Sequence, residues 1–321
     1  MDRSSPVTQL RATVGGFAKD QLPAADRWCV ALSGGADSLA LTAVAAELLP
    51  TTALIVDHGL QPGSAAAAQT AQRQALALGC VGAEIIPVTV GTAGGPEAAA
   101  RSARYAALET ARAGAPVLIG HTLDDQAETV LLGLGRGSGP RSIAGIRPFD
   151  PPWCRPLLQL RRATTEAACA ALGLTPWRDP HNDDRRFTRT RLRHEVLPLL
   201  EDVLGGGVAE ALARTATALQ EDGDVLDELA DRALAAARPH TDGLPTAAVA
   251  ALPAAVRLRA LRSWLLAGGA RNLTSKQIRA VDALVTAWRG QGGVAVGGGR
   301  ADARLFARRR AGVLVLEYER D

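Results

Sequence analysis

Ser33-Gly34-Gly35-Ala36-Asp37-Ser38 decides how this chain is read. The apolar run Trp28 to Leu32 precedes it and reads as a buried strand; the Ala- and Leu-rich run Leu39 to Leu49 follows it and reads as a helix. A strand, a Gly-Gly turn and a helix start make an anion site. Glycines let backbone N–H groups approach a phosphate with no side chain in the way. The helix N-terminus adds unpaired donors and a partial positive charge, and Ser33 and Ser38 can add hydroxyls. No Lys sits here to make a Walker A loop, and the spacing is not Gly-x-Gly-x-x-Gly. The plainer alternative is an ordinary turn with Asp37 as a first-turn acid.

Outward from this stretch, strands and helices alternate. Residues 7–24 predict a leading helix, with Leu10, Val14 and Phe17 at helical spacing. Ala53 to Val56 is a second strand ending at Asp57-His58-Gly59, and 64–78 a helix. Glu84 to Val90 is a third strand, with Pro87 indicating an edge. Glu97 to Ala113 predicts a helix, 116–120 a fourth strand and 123–134 another helix. Such alternation implies a parallel sheet covered on both faces. Ligands bind beyond the carboxyl ends of such strands, which places the 33–38 loop, Asp57-His58 and Gly120-His121 on one rim. Residues 133–152 read as a mobile Gly-, Pro-, Arg- and Ser-rich loop, 162–172 as a helix, 178–184 as a polar turn and 186–203 as a basic helix. Gly205-Gly206-Gly207 breaks the pattern. Helices over 208–237, 254–267 and 274–289 follow, then three short β runs around Val294, Leu305 and Leu314. The expected organisation is an α/β domain over 1–205 and a mainly helical domain with a small β tail over 206–321.

The 321 residues suffice for two domains, and 47% apolar content supports sizeable cores. The net charge is +3. Lys19 and Lys276 are the lysines, so 34 of the 36 basic residues are Arg, a residue suited to bidentate phosphate contacts. Codon bias explains most of that count, though not its clustering. Cys29, Cys80, Cys154 and Cys169 have neither Cys-x-x-Cys spacing nor polar surroundings, and read as buried small hydrophobes. The absence of a disulfide framework, a signal core or an apolar run of membrane-spanning length predicts a cytoplasmic protein with no membrane partner.

Three further constellations carry chemistry. In His121-Thr122-Leu123-Asp124-Asp125-Gln126-Ala127-Glu128-Thr129, Asp125 and Glu128 share a helix face. Two carboxylates at a rim can hold Mg²⁺ or a substrate ammonium; otherwise they only suit the helix dipole. In Glu97-Ala98-Ala99-Ala100-Arg101-Ser102-Ala103-Arg104-Tyr105, Arg101 and Arg104 could reach phosphate or carboxylate, although pairing of Glu97 with Arg101 accounts for the spacing almost as well. Asp179-Pro180-His181-Asn182 precedes Arg185, Arg186, Arg189, Arg191 and Arg193. On one helix Arg186, Arg189 and Arg193 would align as a face for a polyanion.

The loop resembles the Ser-Gly-Gly-x-Asp-Ser loop of PP-loop (N-type ATP pyrophosphatase, adenine nucleotide alpha hydrolase-like) enzymes. Together with Asp57-His58-Gly59-Leu60, Glu97 to Tyr105, His121 to Thr129 and Asp179 to Arg193, the chain resembles tRNA(Ile)-lysidine synthases over about residues 29–200, and more loosely thereafter. The resemblance implies an ATP-dependent ligase. It would join free lysine to C2 of the wobble cytidine (position 34) of a CAU-anticodon isoleucine tRNA, releasing AMP and pyrophosphate. Decoding then changes from methionine to isoleucine. ATP would be bound by Ser33, Gly34, Gly35, Ala36, Asp37, Ser38, Asp57, His58, Gly120 and His121, with Mg²⁺ on Asp37 and Asp125. Catalysis would fall to Asp37, Asp125 and Glu128. Asp125, Glu128 and Arg104 would bind lysine, and Arg101, Arg186, Arg189, Arg191 and Arg193 would bind tRNA or phosphate. Trp153, Trp177 and Phe187 are candidates for stacking on a flipped base, or are core. A homodimer is compatible with this picture. The competing readings are a PP-loop tRNA thiolation enzyme, for which a Cys pair is lacking, and a nucleotide-binding sensor without catalysis.

Overall fold

The computed structural model describes residues 5–59, 63–91, 95–137, 139–179, 184–237, 243–300 and 302–320. By backbone contacts the chain divides into two units, residues 1–135 with 144–216, and residues 136–143 with 217–321.

The first unit is built on the expected parallel sheet. Helix α1 (Pro6–Gln21) starts at Ser5, whose hydroxyl accepts the Thr8 N–H at 3.2 Å, with Pro6 in the first turn where its missing N–H costs nothing. Strand β1 (Trp28–Ala31) leads through the glycine loop into α2 (Ala36–Leu48). Next come β2 (Thr51–Asp57), α3 (Ser64–Ala77), β3 (Gly82–Pro87), α4 (Pro96–Ala111), β4 (Val117–Ile119) and α5 (Leu123–Gly135). Strand order is β3-β2-β1-β4 and then two further strands, so β3 with its Pro87 is an edge strand, as the sequence implied. All four pair in parallel. The order reverses between β1 and β4, which opens a crevice at their carboxyl ends.

Side chains alternate along these strands. Trp28, Val30, Ala53, Ile55 and Leu118 bury against a layer that includes Leu10 and Val14 of α1 and Leu39 and Leu41 of α2. Cys29, Leu54, Val117 and Ile119 bury on the opposite side with Leu108 of α4. Two covered faces are what near-continuous apolar strands require.

The stretch 133–152, read from sequence as a loop, departs from that expectation. It contains α6 (Pro140–Ile143) and β5 (Phe149–Asp150), which pairs antiparallel with β6 (Trp153–Cys154). Strand β6 in turn pairs parallel with β4, through Val117 opposite Trp153. Two-residue strands show no periodicity, which is why they escape a sequence reading. After β6, a 3₁₀ turn (Pro156–Gln159) leads to α7 (Arg162–Ala171). The basic helix expected over 186–203 is broken into three pieces: α8 (Thr188–Arg191), one π-helical turn (Leu192–Val196) and α9 (Leu197–Val203).

The division between units falls within α10 (Val208–Ala237). In the second unit, β7 (Leu244–Pro245), α11 (Thr246–Ala250), α12 (Ala254–Ala267) and α13 (Ser275–Thr286) precede β8 (Val294–Arg300), β9 (Ala303–Arg310) and β10 (Val313–Arg320). The three β runs of the sequence are β8 to β10; with β7 they form an antiparallel sheet in the order β7-β10-β9-β8. Its apolar face, including Leu305 and Leu314, shares a core with Leu261 and Leu265 of α12 and Val281 of α13. Among the described residues no helix is long and apolar enough to cross a membrane.

Candidate active site

The carboxyl ends of β1, β2 and β4 open onto one cleft of about 900 Å³, lined by residues of the first unit. The glycine loop forms its floor. Gly34 has φ +84°, a left-handed conformation that L side chains rarely adopt, and a Cβ there would lie 3.6 Å from that of Trp177. The two loop serines mainly tie the loop to itself. The Ser33 N–H donates to Ser38 Oγ at 3.2 Å, the two hydroxyls are 3.0 Å apart, and Ser38 Oγ donates to the Gly35 carbonyl at 3.0 Å. No side chain caps α2, whose N-cap is Gly35, so its first-turn N–H groups keep their donors for an anion. Gly120, at the end of β4, touches this loop closely. A Cβ there would stand 3.0 Å from the Asp37 carbonyl carbon and 3.0 Å from the Ser38 nitrogen.

Asp57, His58, Gly120 and His121 all line the cleft, as the rim argument requires. Asp57 Oδ1 accepts the Gly59 N–H at 3.0 Å; Leu60, the last residue of that motif, lies outside the described residues. Nδ1 of His58 and of His121 is buried without a partner. Burial lowers the pKa of both imidazoles, that of His121 to about 3, and the Arg104 charge adds to the lowering at His58. Both rings are therefore neutral near pH 7, suited to hydrogen-bonding a neutral base or sugar.

The carboxylates converge beside the loop. Asp125 Oδ2 accepts the Thr122 N–H at 2.8 Å and the Thr122 hydroxyl at 3.0 Å, so it caps its own helix. Its Oδ1 faces Arg162 Nη2 at 2.7 Å. Asp37 Oδ1 accepts the Thr165 hydroxyl, and its Oδ2 lies 3.2 Å from Arg162 Nε. Glu128 is fully buried, with Oε1 held by Arg193 Nε at 2.8 Å and Oε2 without a partner. Asp37, Asp125, Arg162 and Arg193 line the cleft, while Glu128 lies behind them. Burial pushes the Asp37 carboxyl up against the pull of Arg162 and Thr165. Burial acts on Asp125 the same way, but Arg162, the Thr122 N–H and Arg193 outweigh it and hold that carboxyl below the usual range.

As arranged, Asp37 and Asp125 do not fit a divalent metal. All four of their oxygens are engaged, and the Arg162 guanidinium stands between them. Among the described residues no group of three or more His, Cys, Asp or Glu could hold a metal ion.

Arg104 lines the cleft from α4 and, unlike Arg162 and Arg193, faces no carboxylate among the described residues. Burial and the neighbouring Arg101 and Arg189 depress its pKa, a strain that an anion would relieve. Arg101 is exposed beside it, 4.9 Å above the Tyr105 ring, and does not reach the cleft lining.

The arginine run separates. Arg186 precedes α8 and pairs with Asp184 at 2.7 Å; Arg191 pairs with Glu195 at 3.1 Å. Arg189 is half-buried on α8. Arg186, Arg189 and Arg193 thus do not form a stripe on one helix, because the helix begins at Thr188 and the π turn changes the spacing. Asp179 lines the cleft, whereas residues 180–183, with His181 and Asn182, lie outside the described residues. Trp177 lines the cleft and donates its backbone N–H to the Gly34 carbonyl at 2.9 Å. Trp153 packs edge-to-face on Tyr105 at 4.7 Å, within the core of that face.

Sequence reasoning missed Arg162 and Thr165. Their signal was a parallel strand, β6, whose carboxyl end delivers α7 to the same rim. Asp124 fixes that delivery by accepting the Arg162 N–H at 2.7 Å and pairing with Arg161 at 3.2 Å.

A family model for the PP-loop domain matches residues 7–200, and one for the TilS substrate binding domain matches residues 244–315. The chain is 70% identical to a tRNA(Ile)-lysidine synthase of Mycobacterium bovis over 322 aligned residues, 99% of each chain. Identity is 65% to the one from Mycobacterium leprae, covering 98% of each, and 63% to the one from Nocardia farcinica, covering 97% of this chain and 98% of that one. Among solved structures, the U34-tRNA thiolase NcsA from Methanococcus maripaludis matches with a TM-score of 0.55 at 17% identity, covering 67% of this chain and 80% of that one, a likeness of fold. With matched domains, near-complete coverage and a PP-loop cleft in place, the chain belongs to the tRNA(Ile)-lysidine synthase family.

Proposed function

We propose that this protein is a cytoplasmic, ATP-dependent ligase, with Mg²⁺ arriving on the nucleotide rather than held between Asp37 and Asp125, that attaches free lysine to C2 of the wobble cytidine of a CAU-anticodon isoleucine tRNA. The observation that carries this reading is the combination of three recognition elements on one cleft: an uncapped helix N-terminus behind a glycine loop, a half-buried Arg104 with no acid partner among the described residues, and a half-buried Asp125 carboxylate. They match, in turn, a polyphosphate, a carboxylate or phosphate, and an ammonium. ATP and lysine together present all three.

In this proposal the α2 N-terminus binds the β- and γ-phosphates while O2 of the cytidine attacks the α-phosphorus and pyrophosphate leaves. The ε-amine of lysine then attacks C2 and AMP departs. A free lysine amine is protonated near pH 7, with a pKa of roughly 10.4, so it must lose a proton before it attacks. Asp125, at the cleft wall, would take the ammonium in exchange for the Arg162 guanidinium that now meets its Oδ1; Glu128, behind it, holds Arg193. The unpartnered Oε2 of Glu128 is a proton acceptor that becomes reachable if Arg193 moves. Arg104 holds the lysine carboxylate. The second unit contributes tRNA binding, in keeping with the substrate-binding family that it matches. Arg101, Arg186, Arg189 and Arg191 are the residues proposed to meet the tRNA backbone from the first unit.

Thiolation is the weaker reading. All four cysteines are buried and free, and burial raises each thiol pKa. AMP release from ATP distinguishes the two. With lysine and CAU-anticodon isoleucine tRNA both present AMP should form, and omission of either should abolish it. AMP formation that needs tRNA but ignores lysine would refute lysine transfer.

A further inference from the structure

Three arginines of the second unit surround one acid. Arg141 belongs to α6 and Asp227 to α10, while Arg259 and Arg262 lie one turn apart on the same face of α12. Arg141 Nη2 and Arg259 Nε meet the same oxygen, Asp227 Oδ1, the latter at 2.9 Å. That Nε is buried and not aligned for a hydrogen bond. Arg262 is half-buried within the field of Arg141 and Asp227, and makes no ion pair or hydrogen bond among the described residues.

The charges in this cluster do not balance. One half-buried carboxylate faces three guanidiniums. The other acids on that stretch of α10, Asp224, Glu228 and Asp231, are exposed, and Glu228 pairs with Arg232 at 3.7 Å. Burial and the Arg141 charge lower the Arg262 pKa, against the pull of Asp227. Arg257, on another face of α12, is by contrast matched one to one by Asp282 at 2.6 Å. An anion would relieve the repulsion among the three. Guanidinium forks from two helices suit a phosphodiester, whose two free oxygens each accept a donor pair. Arg141, at 47% side-chain exposure, leaves the cluster open on one side, so that a polymer can run past it.

We propose that Arg141, Arg259 and Arg262 form a phosphate site for the tRNA backbone, with Asp227 as the resident acid that the phosphodiester partly displaces. The site deepens the reading of the second unit as the tRNA-binding part, and rests on it.

The test is binding of CAU-anticodon isoleucine tRNA to the full-length protein, measured by filter binding over a range of salt concentrations, without ATP or lysine. Arg262→Gln should weaken binding about tenfold, the loss of one charged hydrogen bond. It should also lower the slope of log affinity against log salt by about one. Arg232→Gln, which removes the same charge from the exposed side of α10, should stay near wild type. Asp227→Asn, which removes the competing acid, should tighten binding about threefold. A purely structural cluster would lose affinity in both Arg262→Gln and Asp227→Asn, so the opposite signs separate the two roles. Thermal unfolding adds a second readout: with no acid partner to lose, Arg262→Gln should keep or raise the melting temperature. Unchanged binding by Arg262→Gln, an equal loss in Arg232→Gln, weaker binding by Asp227→Asn, or a lowered melting temperature in Arg262→Gln overturns the proposal. Binding that follows the expected signs without lysine transfer would sink the enzymatic reading and leave the site standing. Lysine transfer by a wild type whose variants all bind tRNA alike would sink the site alone.

Discussion

Two sets of arginines, close in sequence, behave differently. Arg162 and Arg193 have side-chain exposures of 17% and 28% and meet Asp125, at 14%, and Glu128, at 0%. Arg186 and Arg191, at 84% and 61%, pair with Asp184 and Glu195 at the surface. Both sets make ion pairs of similar length. Surroundings separate them. Exposed pairs are screened by water and contribute little. Breaking a buried pair leaves an uncompensated charge and costs several kcal/mol. The inner set therefore shapes the cleft, while the outer set is the one we propose to exchange its acids for a tRNA backbone.

The largest expected effect is on stability. Arg162→Gln should cost about 3–5 kcal/mol of unfolding free energy, whereas Arg191→Ala should cost less than about 1 kcal/mol. Urea denaturation checks both, and equal losses would erase the distinction between the two sets. Gly120→Ala separates geometry from charge. The new Cβ meets loop backbone at 3.0 Å and must displace it, at a cost of about 1–3 kcal/mol. ATP-dependent AMP release should fall while every ion pair is retained; unaltered release would show that the loop tolerates displacement.

The smallest effect concerns pH. His58 has its pKa lowered by burial and by Arg104. The unfolded chain takes up a proton below about pH 6.5 that the folded chain does not. The stability contribution is thus intact above that pH and is lost as pH falls from there toward the folded value. Thermal unfolding of His58→Gln should lose less stability than wild type between pH 7 and pH 5. A parallel pH dependence would show that the ring titrates freely.

Much of the fold was legible because its signals are local. The glycine loop between an apolar strand and an apolar helix, Pro87 at an edge, and the acids that open α5 all follow from short-range patterning. What was illegible depends on pairing across long sequence distance. Phe149–Asp150 and Trp153–Cys154 are too short to show alternation, yet β6 extends the sheet and carries Arg162 to the rim. Arg193 reads as one of five similar cations. A π turn and the buried Glu128 single it out, and neither is visible in spacing. The site was thus half legible: its acids and loop could be read, and the guanidiniums that neutralise them could not.

In the proposed assignment the inner cleft performs lysine transfer and the outer arginines serve only binding. Incorporation of radiolabelled lysine into CAU-anticodon isoleucine tRNA, in single turnover with saturating tRNA, tests it most directly. Asp125→Asn should slow incorporation on the order of a hundredfold or more, and Arg186→Ala should remain near the wild-type rate. Full-speed transfer by Asp125→Asn, or its loss in Arg186→Ala, would contradict the account.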